Sequence, residues 1–136
     1  MALFRETRVL TLEGAKRLAA AAEAEALRHK WTVAIALVDP SGGLILFHCL
    51  DGTQAASQDI AVAKARTAAR LKRPTKALED GIAGGRHALL TVPGALALEG
   101  GVPIVVDGHL LGAIGISGMT STEDGQVAAA ALAAIA

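Results

Sequence analysis

The chain has 136 residues, 52% of them apolar, and its 13 basic and 13 acidic side chains cancel to a formal net charge of zero. That length and apolar content suffice for one domain, residues 1–136, whose core needs neither disulfide nor metal staple. A neutral chain with no Tyr, two Phe and one Trp lacks the basic face and the aromatic or arginine readers of a nucleic-acid binder, so that partner is excluded.

Cys49 is the lone cysteine, which rules out an intrachain disulfide and a cysteine-built zinc cluster. Charges run through the first residues where a signal peptide would have its apolar core. Glycine or charge interrupts every apolar run well short of the ~18–20 residues of a membrane span. A cytoplasmic protein with no membrane partner is the expectation.

Thr11 can cap a helix over residues 11–29, in which Leu12, Ala15, Leu18, Ala19, Ala22 and Ala26 keep helical spacing and Glu13 sits in the first turn. TVAIALVD (32–39) and GLILFHCL (43–50) are apolar or β-branched runs divided by Pro40-Ser41-Gly42-Gly43, which predicts an antiparallel hairpin. Residues 57–73 are Ala-rich and helical, and Pro74 separates them from a short helix over 75–82. ALLTV (88–92), between Gly84-Gly85 and Pro93-Gly94, reads as a short strand or as irregular. VPIVVD (102–107) and HLLGAIGIS (109–117) meet at Asp107-Gly108, the strongest hairpin signal in the chain, and Glu123–Ile135 form the last helix. The order α-β-β-α-α-β-β-α predicts an α+β fold, an antiparallel sheet of four to five strands flanked by helices.

Several residues can carry chemistry. On the second helix Ser57, Ile60, Lys64, Thr67 and Leu71 share a face; Lys64 there either meets a carboxylate or propionate, or stays solvated with its stem on the core edge. His48 falls on the Leu44, Leu46 and Leu50 side of its strand and Cys49 on the other, so they cannot share one metal. A buried His48 is a candidate axial ligand to haem iron, or else a hydrogen-bonded structural histidine; Cys49 reads as a small buried hydrophobe. His29, His87 and His109 lie near element ends without metal-helix spacing, and His87 follows Gly84-Gly85-Arg86 where a loop could build a pocket. Arg70, Lys72, Arg73 and Lys76 form either an anion patch or a solvated, dipole-complementing helix end. Gly115-Ile116-Ser117-Gly118-Met119 lacks the last glycine of a nucleophile elbow, which excludes a serine-hydrolase triad. The glycines here admit either a ligand or another part of the backbone.

Val38-Asp39-Pro40-Ser41-Gly42-Gly43, Asp51-Gly52, Lys64-Ala65-Arg66-Thr67-Ala68, Pro74-Thr75, Gly100-Gly101-Val102-Pro103-Ile104 and Gly112-Ala113-Ile114-Gly115-Ile116-Ser117-Gly118, with Asp124, resemble the GlcG/HbpS family over residues 10–136. The last two motifs are the specific ones. The resemblance implies a profilin- or PAS-like domain that assembles into oligomers, in a family whose members look like haem binders or small-molecule accessory proteins, with haem degradation attributed to some. A ligand site is expected from His48, Lys64, Thr67, Thr75, Arg86, His87, Gly101, Ser117 and Asp124, with His48 or His87 as metal ligand, although the family uses no one fixed haem ligand and the resemblance carries no axial residue over. One departure is that Cys49-Leu50 stand before Asp51-Gly52 where the family commonly has Arg-Met.

Three functions follow as expectations. The first is haem or tetrapyrrole binding near the Lys64 helix and the 81–101 loop, with His29, His48 or His87 near the iron or, failing those, the Thr75 hydroxyl. The second is a cofactor-free enzyme for a small carboxylated metabolite, with Lys64 or Arg86 holding the anion and His48, His87 or Asp124 moving a proton. The third is a non-catalytic assembly subunit. The Gly100-Gly101 and Gly115–Gly118 segments are expected to meet at the sheet end opposite the Asp107-Gly108 turn, where Ser117 and Asp124 shape a pocket beside the last helix or the glycines serve packing alone.

Overall fold

In the computed structural model, which describes residues 2–136, four strands form one antiparallel sheet: β1 (Ala34–Val38), β2 (Leu44–Cys49), β3 (Gly101–Val106) and β4 (His109–Ser117). Their spatial order is β2-β1-β4-β3, so β1 and β4 are central and β2 and β3 are edges. The helices are α1 (Leu12–Arg28), α2 (Ala56–Leu71), α3 (Thr75–Ala83) and α4 (Ser121–Ala133). This is the α+β order expected from the sequence, with four strands. The ALLTV segment forms no strand but a 3₁₀ turn, His87–Thr91, closed by local bonds such as Leu89 N–H to Arg86 O; both sheet edges lie elsewhere, so no strand partner is offered.

The helix ends follow their side chains. Thr11 caps α1 by accepting from the Gly14 N–H at 3.0 Å. α4 begins at Ser121, earlier than the expected Glu123, because Thr120 is its cap and Glu123 reaches back to the Thr120 N–H in a capping box. α2 closes on Lys72 in the left-handed conformation, φ 55°, a position usually given to glycine.

The two sheet faces are built from side chains of different size. Val33, Ile35, Leu37, Ile104, Ile114 and Ile116 pack under α1 and α4. On the other face Ala34, Ala36, Val38 and Ala113 meet Ala61, Ala65, Ala68 and Ala69 of α2. Alanine against alanine lets α2 lie close to the sheet, which then requires glycine directly beneath it. No helix among the described residues is long and apolar enough to cross a membrane.

Candidate functional site

The face read from the sequence on α2 is real: Ser57, Lys64 and Thr67 are buried, and Ile60 and Leu71 half-buried. Lys64 is not solvated. Its ammonium donates to Ile116 O at 2.9 Å and to the Asp124 carboxylate at 3.0 Å, and each of the pair is 2% exposed. The second Asp124 oxygen accepts from the Met119 N–H at 3.0 Å. Burial pushes the Asp124 carboxyl up, while the Lys64 charge and the Met119 N–H draw it back. The carboxylate that Lys64 meets is thus the protein's own, and the pair ties α2 to the first turn of α4 across the end of β4.

Gly101 and Gly115 pair across β3 and β4, and the Ile116 N–H donates to Gly100 O, so the two glycine segments do meet at the sheet end away from Asp107-Gly108. What lies against them is backbone. A Cβ on Gly101 would stand 2.3 Å from Lys64 O, and one on Gly115 2.1 Å from Ala61 O. Gly118, at φ +149°, faces Thr32 O in the same way. Of the two uses considered for these glycines, the structure displays packing. Ser117 is 5% exposed, and Thr75, fully buried, accepts from the Gly101 N–H at 2.9 Å, which takes its hydroxyl out of reach as an iron ligand. Lys64, Thr75, Gly101, Ser117 and Asp124 therefore form one packed cluster.

The remaining expected site residues lie apart from it. His48 does fall on the α1 side of β2, but on an edge strand, so it is exposed rather than buried, and its Nδ1 pairs with Glu23 of α1. Cys49 is also exposed, not buried, for the same reason. His29 stacks on Trp31 at 4.1 Å and contacts Glu25. Arg86 and His87 are exposed at the start of the 3₁₀ turn, beyond α3, with no side-chain partner among the described residues. His48 lies on edge strand β2 and His87 in the 3₁₀ turn after α3. Of the basic set, Arg70 donates to Ser41 O at 2.8 Å and Lys76 pairs with Asp80, so no single anion patch forms there.

Thr67 joins α2 to the 84–98 segment: its hydroxyl donates to Ala63 O at 2.7 Å and accepts from the Leu96 N–H at 3.0 Å. Beside it Arg70, Leu71, Val92, Pro93 and Gly94 line a crevice of about 50 Å³. A larger cleft, about 610 Å³, opens where the N-terminal arm crosses the 39–41 and 108–110 turns. The sequence reading missed it; Arg5 and Arg8 in a stretch without period were the only signal.

The family model for haem degrading protein HbpS-like matches residues 10–133. Protein GlcG of Escherichia coli K12 is 42% identical over 109 residues, 80% of this chain and 81% of the relative. Among solved structures, a double mutant of Streptomyces reticuli HbpS superposes with a TM-score of 0.90 at 32% identity, covering 100% of this chain and 93% of that one. A PduOC:heme complex superposes with a TM-score of 0.83 at 28% identity, covering 93% and 94%. Fold, motifs and sequence agree, and the chain belongs to the HbpS-like (GlcG/HbpS) family.

Proposed function

We propose that the protein binds haem or a related tetrapyrrole on the face formed by α2 and the 86–98 segment, with His87 as the iron ligand. Family membership and the likeness to a haem complex support the ligand class. The observation that carries the placement is an unpartnered imidazole beside exposed apolar surface; His109, which also has no side-chain partner among the described residues, lies instead in the cleft by the N-terminal arm. His29 is taken by Trp31 and Glu25, and His48 by Glu23, whereas His87 is exposed and unengaged on the segment that also presents Leu90, 69% exposed, and Leu98, 40% exposed. This donor set fits the group: apolar side chains for the ring, an imidazole for the iron, and Arg86 for the propionates. The 50 Å³ crevice encloses no macrocycle, so the ring lies on the open face rather than within the fold. His87 would hold the iron, and the bound group would supply the small-ligand chemistry of haem.

On titration with ferric haem a Soret band should develop, and His87→Ala should lower haem affinity about tenfold or more, comparable to what loss of a ligand's support costs in other metal sites. His29→Ala and His48→Ala should leave spectrum and affinity as they are. An unaltered spectrum in His87→Ala, or loss of binding in His48→Ala, would overturn the assignment.

The same reading includes self-association. The exposed edge-strand residues Leu44 (48%) and Val105 (58%) are apolar surface that a second copy would cover, and β2 and β3 both leave unpaired strand edges. Light scattering at micromolar concentration should return a multiple of the 13.8 kDa chain mass; a monomer would contradict it.

A further inference from the structure

We propose that the cleft between the N-terminal arm and the two turns is a second binding site, for a small molecule carrying two or more anionic groups. The cleft measures about 610 Å³, within the roughly 300–1,000 Å³ typical of small-molecule sites. Arg5, Arg8, Lys72 and His109 line it, against the acids Glu6 and Asp39.

The two acids are not equivalent. The Asp39 carboxylate is consumed by its own turn, accepting from the Ser41 hydroxyl at 2.7 Å, the Ser41 N–H at 2.8 Å and the Gly43 N–H at 2.9 Å. The Ser41 hydroxyl, followed by the Gly43 N–H, holds it below the usual carboxylate range, so it stays an occupied anion. The cations are unspent: no ion pair or side-chain hydrogen bond of the described residues uses Arg5, Arg8 or Lys72, whereas the neighbouring Arg66 and Arg70 are committed to the Gly42 and Ser41 carbonyls. Those two bonds fix the wall of the cleft to α2, and the Leu10 N–H to Leu111 O bond at 2.9 Å fixes the root of the arm to β4.

Lys72 is the third free cation of the cleft. It lines the cleft while closing α2 in the left-handed conformation, φ 55°, and no partner among the described residues takes its ammonium. Most of the lining residues carry charged or hydroxyl side chains, beside Val9, Pro40 and Leu110, which gives an anion its partners. The site shares no residue with the haem face, so either reading can fail without the other.

Isothermal titration of the full chain with citrate, with fructose 1,6-bisphosphate and with glucose tests it. At least one of the two anions should bind, glucose should not, and affinity should fall as salt rises from about 0.05 to about 0.3 M. Citrate alone binding assigns a carboxylate ligand, the bisphosphate alone a phosphate ligand, and both a site that reads charge. Each of Arg5→Ala, Arg8→Ala and Lys72→Ala should weaken binding about tenfold, the loss of one charge-assisted contact. All three residues are exposed, so the variants should keep the wild-type melting temperature within a few degrees. No binding of either anion at about 10 mM, equal binding of glucose, or full binding by the triple variant would overturn the proposal.

Discussion

Replacing Lys64 with methionine should cost about 3–5 kcal/mol of stability, the penalty for leaving a buried charge without its partner. Asp124, 2% exposed, would retain only backbone donors such as the Met119 N–H. In thermal unfolding the loss reads as a fall of about 10 °C or more. Replacing both partners, Lys64→Met with Asp124→Leu, should recover most of it, since apolar side chains of similar volume often substitute for a buried pair without loss. The variant should also respond to pH in a defined sense. Burial already raises the folded-state pKa of Asp124, and removing the Lys64 charge raises it further. A carboxyl whose folded pKa exceeds its unfolded value binds its proton more tightly in the folded state, so Lys64→Met should gain stability as pH falls through that raised value. A single variant that melts within two degrees or so of wild type would show that the pair does not hold α2 to α4.

Gly115→Ala should be comparably severe, about 3 kcal/mol or more, at the upper end of overpacking costs. The added methyl would stand 2.1 Å from Ala61 O and 2.6 Å from Ala65 N. Both are backbone atoms inside α2, which cannot turn aside as a side chain can. The helix must lift from the sheet, and its alanines lose contact with Ala34, Ala36 and Ala113 together. Gly85→Ala is the control: its added methyl meets nothing within 4 Å, and its φ of +101° leaves only a backbone cost of about 1–2 kcal/mol. Equal melting temperatures for the two variants would mean that the close approach of α2 is not what Gly115 serves.

Most of the fold was legible because its signals are local. Asp107-Gly108 and Pro40–Gly43 announce the two hairpins, Thr11 caps α1, and Pro74 divides α2 from α3. The candidate site was harder to read because its contacts are not local. Lys64 and Asp124 are 60 residues apart, so the helical face left open whether the lysine meets a carboxylate or stays solvated and could not name the partner. Strand alternation placed His48 on the correct face, yet alternation does not report that β2 is an edge, and exposure followed from that. The glycine motifs stood out in sequence, but only geometry reveals that the α2 backbone, and not a ligand, fills the space above Gly101 and Gly115. The cleft walled by the arm was invisible, since it depends on where an aperiodic segment lies.

The most direct test of the account is where haem sits. In amide NMR spectra of the ¹⁵N-labelled chain, paramagnetic ferric haem should broaden signals of residues 67–71 and 86–98 first, leaving Gly101, Ser117 and Asp124 sharp at substoichiometric haem. Broadening centred on residues 115–124, or on His48 and its neighbours in β2, would contradict the placement on the α2 and 86–98 face.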